Sequence, residues 1–208
     1  PVLTLVETPL LGTRYFLKAA EDKDLALIAL IFLSPVFLVI SILIKLDSPG
    51  PVFFRQDRTG WNGQKFKIWK FRSMVVHESE DGRVKQAEKG DARITRSGAF
   101  LRKTSLDELP QIFNVLAGDM SLVGPRPHAV QHDEEYSQRI ADYFARHNIK
   151  PGMTGLAQVR GYRGETKEIS QMMHRIEADI EYINNWSVSL DLIIMLRTVT
   201  ALTGKMAY

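Results

Sequence analysis

Two adjacent carboxylates, Asp107 and Glu108, follow the basic pair Arg102 and Lys103, and this combination has the parts needed for phosphate chemistry. A carboxylate can attack phosphorus and form an acyl phosphate, but positive charge must offset the repulsion between two anions. Cationic side chains and a divalent ion supply that charge, and Mg²⁺ usually binds through one or two carboxylates plus substrate phosphates. We therefore take Asp107 and Glu108 as candidate catalytic residues and Mg²⁺ ligands, with five candidate phosphate-binding partners: Lys70, Arg72, Arg102, Lys103 and Arg126.

The sequence from Ser105 to Gly118 predicts a helix that would position the two acids. Ser105 and Glu108 have the spacing of a capping box, Pro110 is tolerated only in a first turn, and Gly118 is typical of a helix end. Asp107 would then lie at a helix N-terminus, where the macrodipole favours an ionised carboxylate and free N–H groups can hold phosphate oxygens. The plainer interpretation is that both acids are ordinary helix-start residues.

Two other segments would bring cations to these acids. Residues 51–72 are typical of a β-hairpin, with Thr59–Gly63 as the turn, and Lys70 and Arg72 share one face of its second strand. A solvated basic strand is the alternative interpretation of those two side chains. In the segment Gly-Pro-Arg-Pro, residues 124–127, the prolines would hold Arg126 in a stiff turn that suits a bidentate grip on phosphate.

Composition narrows the classes of function. The chain has 208 residues, a formal net charge of +3 and no cysteine, so disulfides are excluded and a reducing compartment is permitted. The charge is too small to indicate a nucleic-acid partner, and it fits a membrane surface or phosphate-bearing substrates better. The sequence contains no Walker A or Rossmann glycine pattern, and its five histidines show no zinc-binding spacing.

A run of 20 uncharged residues, Leu25–Ile44, is long enough to span a bilayer core as one helix. However, Ser34 and Pro35 lie at its middle, and proline disrupts a helix interior. Basic residues, which mark the cytoplasmic side of a membrane, flank both of its ends. From the residues alone, a kinked spanning helix and a hairpin that enters and leaves on one face remain equally open.

The other segments carry less information. We expect a lead-in over residues 1–24 that includes a short charged helix, and a polar loop over 77–97. We also expect a turn over 150–155, helices over 130–148 and 167–185, and an amphipathic helix over 190–202. Tyr182 and Trp186 could lie at a membrane interface.

The run from Lys103 to Pro127, KTSLDELPQIFNVLAGDMSLVGPRP, resembles the signature of the bacterial sugar transferases, the monotopic phosphoglycosyl transferases. The resemblance extends from about Lys18 to the C-terminus and includes the blocks DSPGPVFFRQDRTG, KFKIWKFRSM and KPGMTGLAQV. Family members often carry extra N-terminal membrane helices and a soluble domain. Residues 6–23 look like the junction from such a region, so the chain, which begins without methionine, is expected to be a processed product or a piece of a longer protein.

The resemblance implies a function. Members of the family transfer a sugar 1-phosphate from a UDP-sugar to undecaprenyl phosphate and release UMP, as the first membrane step of exopolysaccharide, capsule or O-antigen synthesis. By this resemblance Asp107 is the nucleophile, Glu108 is an Mg²⁺ ligand or a helper in proton handling, and Lys70 and Arg72 lie at the edge of the active site. The implied location is the cytoplasmic face of the bacterial inner membrane, in contact with membrane lipid, without nucleic acid and with a possible homo-oligomer. Residues 161–166 resemble the enzymes that use UDP-glucose or UDP-galactose, but the sugar itself stays open.

The resemblance also implies an architecture. The expected class is α+β and mainly α-helical, with a re-entrant helix broken at Ser34 and Pro35 over residues 25–45. A cytoplasmic-face catalytic domain over 46–208 would contain a small β-hairpin and amphipathic interfacial helices around one catalytic core.

Two other functions remain as alternatives, a glycoside hydrolase and a membrane-anchored assembly protein without catalysis. Adjacent carboxylates are poorly placed to flank a glycosidic bond, and the second alternative rests only on the anchor.

Overall fold

One helix, α1 (Thr13–Asp47), is the longest element of the computed structural model. The predicted short helix before residue 25 and the apolar run are both parts of this single 35-residue element, which continues through Ser34 and Pro35. The Ser34 hydroxyl donates to the Ile31 carbonyl at 2.8 Å. The predicted break into two membrane halves is therefore not confirmed. The structure describes residues 10–75, 91–137, 139–140, 143–162 and 169–203, so most of the predicted polar loop over 77–97 lies outside the described residues.

Helix α1 is apolar but mostly uncovered. Within the described part of the chain it is the one helix long and apolar enough to cross a membrane. Only one stripe, including Phe37, Ile40 and Ile44, packs into the core. Large apolar side chains on its other faces stay exposed, among them Leu27, Ile28, Ile31, Phe32, Leu38, Val39, Ile42 and Leu43. This exposure supports the expected association of the chain with a membrane.

The predicted β-hairpin is confirmed. Strands β1 (Phe53–Thr59) and β2 (Lys65–Phe71) are antiparallel. A short 3₁₀ turn, Trp61–Gly63, connects them, and both Asn62 and Gly63 have positive φ, at 51° and 74°. Asparagine and glycine tolerate this backbone conformation better than other residues, which is why this segment turns.

The helix predicted to begin at the capping box begins later. After α2 (Arg96–Thr104), Ser105 takes the left-handed conformation at φ 59°, and its side chain does not cap the turn that follows. A 3₁₀ turn, Leu106–Glu108, follows, and α3 (Gln111–Ala117) starts only after Pro110. The predicted end is confirmed, since Gly118 caps α3 at φ 90°.

Strand β4 (Gly152–Thr154) lies where a simple turn was predicted over 150–155, and it pairs in parallel with another short strand, β3 (Ser121–Val123). Their backbones approach so closely that a Cβ on Gly152 would lie 2.1 Å from the Gly124 nitrogen. Glycine is required there because no side chain fits between the strands.

The predicted helix over 130–148 is interrupted. It consists of α4 (Val130–Ser137) and a separate 3₁₀ segment, Tyr143–Asn148. The helical pattern failed because two of its charged residues, Asp133 and Arg146, face inward and are buried, at 4% and 2% exposure. The remaining helices are α5 (Leu156–Val159), α6 (Ile169–Asn184) and α7 (Val188–Thr203), of which the last two match predicted helices. The coarse class, mainly helical with small sheets, is therefore confirmed.

The core contains two main apolar clusters. The first joins the buried stripe of α1 to β2, α2 and α3, and the second packs α6 and α7 against Val123 of β3. Tyr182 and Trp186 belong to the second cluster and are 1% and 7% exposed. The expectation that they lie at a membrane interface is therefore wrong, because both donate hydrogen bonds to buried Asp191.

Buried charges attach the N-terminal end of α1 to this core. Lys18 lies 2.6 Å from Asp191 of α7 and 3.0 Å from Asp22, and all three side chains are less than a tenth exposed. Asp22 in turn accepts hydrogen bonds from the Ser121 hydroxyl and the Leu122 backbone of β3. One lysine therefore neutralises two carboxylates that have little access to water.

We expect Lys18→Met to destabilise the protein strongly, because it leaves Asp22 and Asp191 buried without a cation. Removing one partner of a buried ion pair costs about 3–5 kcal/mol. In a chain of this size that lowers the thermal unfolding midpoint by more than about 6 °C. Lys23→Met is the matched control, since Lys23 is exposed on the same helix. Similar unfolding midpoints for the two variants in detergent solution would contradict a structural role for this buried cluster.

Candidate active site

The two adjacent acids lie in the short 3₁₀ turn between α2 and α3. Asp107 is 8% exposed and Glu108 is partly buried. Because this turn is connected to α2 at one end and leads into α3 at the other, the directions of both carboxylates are fixed. They nevertheless have very different surroundings.

Glu108 is held by two cations from distant parts of the chain. Lys70 Nζ lies 2.8 Å from Oε1. Arg126 grips the same carboxylate bidentately, with Nη1 2.9 Å from Oε2 and Nη2 2.5 Å from Oε1. Burial alone would raise the pKa of Glu108, but Arg126 and Lys70 outweigh it and hold that pKa well below its ordinary value. Glu108 is thus ionised and neutralised in place.

Lys70 reaches Glu108 because Asn114 fixes strand β2 against α3. The Asn114 side chain accepts a hydrogen bond from the Trp69 backbone N–H at 2.9 Å and donates one to the Lys67 carbonyl at 2.8 Å. This buried amide, 1% exposed, replaces a neighbouring strand. It fixes the position of β2 relative to α3, and therefore also the position of the Lys70 ammonium group.

Arg126 is positioned by the close pairing of β3 with β4 and by a second arginine. Arg146 Nη2 donates to the Arg126 carbonyl at 2.6 Å. The same nitrogen lies 2.9 Å from Asp179 of α6, in a pair that is about 1% exposed on both sides. Burial raises the pKa of Asp179 to about 6, although Arg146 opposes the shift. This buried pair therefore fixes the backbone from which Arg126 extends.

Asp107 has no such partners. No hydrogen bond or salt bridge joins its carboxylate to another residue in the described part of the chain, where Glu108 has three. Burial raises the pKa of Asp107 from its ordinary value of 3.8, Lys70 opposes that shift, and Glu108 adds to it. The expectation that Asp107 lies at the N-terminus of a helix is wrong, because α3 begins only at Gln111.

The other three predicted phosphate-binding residues occupy different places. Arg102 acts electrostatically on Asp107, and its Nη1 lies 3.9 Å from the Met74 sulfur. Arg72 is 3% exposed and donates to the carbonyls of Ile44, Ser48 and Pro49 at the end of α1. Lys103 is exposed, and none of the contacts among the described residues joins it to either acid. A role for these three residues in substrate binding stays a prediction.

Sequence reasoning missed the residues that position the site. Asn114 carried a usable signal, because it is an uncharged polar residue inside the apolar run Ile112–Leu116. Arg146 and Asp179 gave no signal, since charged residues on predicted amphipathic helices are normally assigned to the solvent face.

Comparison with known proteins agrees with the signature quoted above. A family model described as bacterial sugar transferase matches residues 13–205. The chain is 53% identical over its whole length to a UDP-glucose:undecaprenyl-phosphate glucose-1-phosphate transferase of Escherichia coli strain K12, and covers 45% of that protein. It is 47% identical to exopolysaccharide production protein PSS of Rhizobium leguminosarum bv. phaseoli, with 89% of the chain and 94% of the relative covered. A UDP-N-acetylgalactosamine-undecaprenyl-phosphate N-acetylgalactosaminephosphotransferase of Aeromonas hydrophila is 44% identical over 91% of the chain and 44% of the relative. The chain thus spans about half the length of two of these three curated relatives.

The unequal surroundings of the two acids predict opposite effects on stability. Glu108→Gln leaves Lys70 and Arg126 facing each other, and we expect a loss of about 1–3 kcal/mol at pH 7. Asp107→Asn removes a charge that burial disfavours, so the variant should be as stable as the natural chain or more stable. Thermal unfolding in detergent measures both effects.

The pH dependence follows from the directions of the two shifts. The folded-state pKa of Glu108 is depressed, so its contribution to stability is complete above about pH 4.5 and is lost only as the pH falls through the lower folded value. The pKa of Asp107 is raised from 3.8, so its ionisation reduces stability as the pH rises through the folded value. Equal destabilisation by the two substitutions at pH 7 would show that the two environments are not distinct.

Proposed function

This chain belongs to the bacterial sugar transferase family, and from that membership and the geometry of the dyad we propose that it transfers glucose 1-phosphate from UDP-glucose to undecaprenyl phosphate, releasing UMP. The observation that carries the proposal is the contrast between Glu108, which two cations neutralise, and Asp107, which is buried beside them without an ion pair. The name of the Escherichia coli relative states this donor, acceptor and transferred group. The choice of glucose as the transferred sugar rests on relatives whose names specify UDP-glucose, such as this one.

Asp107 is the nucleophile in this proposal. Its carboxylate is not engaged by neighbouring donors in the described part of the chain, so an oxygen lone pair is available for attack. The positive charges of Lys70, Arg102 and Arg126 favour the ionised form and oppose the effect of burial. The same charges reduce the repulsion that an anionic substrate meets.

The reaction proceeds in two balanced halves. An Asp107 oxygen attacks the β-phosphorus of UDP-glucose, the bond from that phosphorus to the oxygen bridging to UMP breaks, and UMP leaves with the electron pair. A phosphate oxygen of undecaprenyl phosphate then attacks the same phosphorus. The bond to Asp107 breaks, the carboxylate is restored, and the product is the lipid diphosphate sugar. Lys70 and Arg126 exchange part of their contact with Glu108 for substrate phosphate oxygens.

The dyad also fits a magnesium ion that substrate phosphates help to hold. In the described ranges no group of three or more His, Asp or Glu side chains is placed to bind a metal alone. The available donor set is Asp107 and Glu108, and Mg²⁺ commonly binds through one or two carboxylates plus substrate phosphates. When bound, the ion would offset phosphate charge. Glu108 would hold it once Lys70 and Arg126 have moved to the substrate phosphates, because Asp107 must remain available for attack.

For the membrane helix we propose a re-entrant arrangement in which both ends of α1 lie on the cytoplasmic side of the inner membrane. Two contacts support it. The N-terminal end is bound to the core through Lys18, and the C-terminal end is bound through its last carbonyls to buried Arg72. A helix attached at both ends to the same polar body is difficult to thread across a bilayer, and basic residues flank both ends. Ser34 and Pro35 mark the middle, where the path would reverse.

This arrangement is consistent with a role in surface polysaccharide assembly. The Rhizobium relative is named an exopolysaccharide production protein. A polyprenyl carrier must stay in the lipid while the nucleotide sugar stays in water, and a re-entrant anchor holds the catalytic residues at the boundary between the two. We therefore place the proposed reaction at the first, membrane-bound step of such synthesis.

The proposed topology predicts one-sided labelling. The chain has no cysteine, so Lys23→Cys and Lys45→Cys each introduce a unique thiol, and the natural chain serves as the blank. A membrane-impermeant maleimide should label both variants in inside-out vesicles and neither in right-side-out vesicles. Labelling of the two positions from opposite faces would show that α1 spans the membrane.

The proposed mechanism predicts a covalent intermediate. With UDP-glucose and Mg²⁺ but no lipid, one equivalent of UMP should be released, and the peptide containing Asp107 should gain a hexose phosphate. Asp107→Asn should abolish the adduct and turnover, because the amide is a poor nucleophile, whereas Asp57→Asn on the exposed hairpin strand should retain both. Excess chelator should suppress adduct formation in the natural chain.

Two results would reject this mechanism. One is UMP release that strictly requires lipid, with sequential kinetics. The other is full activity of the Asp107→Asn variant, which would instead favour a membrane-anchored assembly protein.

A further inference from the structure

Arg58 lies on the β-hairpin, at the point where the hairpin meets the segment that carries Arg126. It is the penultimate residue of β1, opposite Phe66 of β2. Its backbone also forms an isolated bridge with Ala129, three residues after Arg126. Arg58 is therefore part of the wall of the same site, although it is not one of the predicted site residues.

The guanidinium of Arg58 is only partly satisfied. Nη2 donates to the Gln56 side chain at 2.8 Å. Nη1 is fully buried and has no hydrogen-bond partner in the described part of the chain. Two more deeply buried arginines, Arg72 and Arg146, also have one unpartnered nitrogen each among the described residues, their Nε. Their Nη atoms, however, are engaged: Arg72 donates to three backbone carbonyls, and Arg146 pairs with Asp179.

The charged groups that act on Arg58 form no ion pair with it in the described part of the chain. They are Arg126, Glu108 and Asp133. Glu108 is already bound by Lys70 and Arg126, and one Asp133 oxygen already accepts the Tyr143 hydroxyl at 2.5 Å. No salt bridge to Arg58 exists among the described residues. Burial, followed by repulsion from Arg126, lowers the pKa of Arg58.

A partly buried cation without its own counter-ion is costly in the ligand-free protein. A guanidinium does not lose its proton to escape this cost, because its pKa remains too high. An anion that accepts a hydrogen bond from Nη1 would remove the cost. Phosphate oxygens match the fork of a guanidinium in charge and in geometry.

We propose that Arg58 binds a substrate phosphate through Nη1, as an additional cationic residue of the site beside Lys70 and Arg126. The identity of the phosphate rests on the proposed function, and the chemistry admits two sources, the pyrophosphate of the nucleotide sugar and the phosphate of the lipid acceptor. The binding of an anion does not itself depend on which reaction the site catalyses.

The first experiment measures anion binding without turnover. The thermal unfolding midpoint of the full chain in detergent is recorded with and without inorganic pyrophosphate and with and without UDP. The variant is Arg58→Gln, and the matched control is Arg55→Gln, an exposed arginine on the same strand that lies over the Trp69 ring. We expect the natural chain and the control to be stabilised by both anions.

Arg58→Gln should lose most of that stabilisation, while its own midpoint without anion stays equal to or above that of the natural chain. If Arg58 were only structural, its substitution would lower the midpoint without anion and would leave the stabilisation by anions unchanged. A lowered midpoint with normal stabilisation by anions would therefore overturn the proposal, as would unchanged behaviour in both conditions. Failure of pyrophosphate and UDP to stabilise the natural chain would overturn it as well.

The second experiment identifies the source of the phosphate. Exchange of labelled UMP into UDP-glucose reports the first half-reaction without lipid. An increase of about 10–100-fold in the KM for UDP-glucose, the size expected for one charge-assisted hydrogen bond, would assign Arg58 to the pyrophosphate. Normal exchange with a similarly raised KM for undecaprenyl phosphate would assign it to the lipid phosphate. If both KM values are unchanged, Arg58 does not bind substrate.

The two experiments also separate this proposal from the proposed function. If the natural chain forms no UMP, but pyrophosphate stabilises it and Arg58→Gln removes that effect, the anion site stands and the assigned reaction fails.

Discussion

The double ion pair of Glu108 with Lys70 and Arg126 is the interaction on which the site depends, because it joins three segments that are distant in sequence. Lys70 comes from the hairpin, Glu108 from the turn before α3, and Arg126 from the loop after β3. Each partner is fixed from behind, Lys70 through Asn114 and Arg126 through Arg146. The carboxylate therefore has a structural role, because it holds the two cations beside each other, and in the proposed reaction these cations would bind substrate phosphate.

The same interaction explains how two adjacent carboxylates can have different chemistry. Glu108 pairs with Lys70 and Arg126. Asp107 is attracted to cations only without direct contact, and burial disfavours its charge. Pairs of titratable groups whose environments push their pKa values apart are characteristic of active sites. Here the separation comes from side-chain direction within a single 3₁₀ turn. A regular α-helix starting at Ser105 would have placed both acids among the free N–H groups of its first turn, in similar surroundings.

The part of this structure that could be predicted from sequence is the part governed by local rules. The hairpin, the end of α3 at Gly118, helices α6 and α7, and the dyad itself follow from turn residues, periodicity and an uninterrupted motif. The capping box failed because Ser-x-x-Glu describes only a local preference, and here Glu108 bonds to side chains from two other segments. The helix over 130–148 failed for a related reason: Asp133 and Arg146 bond to groups that only the tertiary fold brings near. Arg58 was overlooked because an arginine on a hairpin strand is ordinarily solvated.

The attachments of α1 limit how deeply the protein can enter a membrane. At one end, Lys18 and Asp22 are bound into the core, and at the other, the exposed Asp47 accepts two hydrogen bonds from Ser97 of α2. Charged groups are expensive in hydrocarbon, so both ends must stay at or outside its boundary. Within α1, the exposed apolar residues between the two attached ends, roughly 27–46, are then the ones placed to contact lipid. The C-terminal end of α1 is bonded to Arg72 at the end of β2 and to α2. Helix α2 leads directly into the 3₁₀ turn that carries Asp107 and Glu108. The depth of α1 in the membrane therefore also sets the depth of these two acids. In the proposed reaction the lipid phosphate would lie at the membrane surface and the nucleotide sugar in water, and these polar attachments would hold Asp107 at one depth that both could reach.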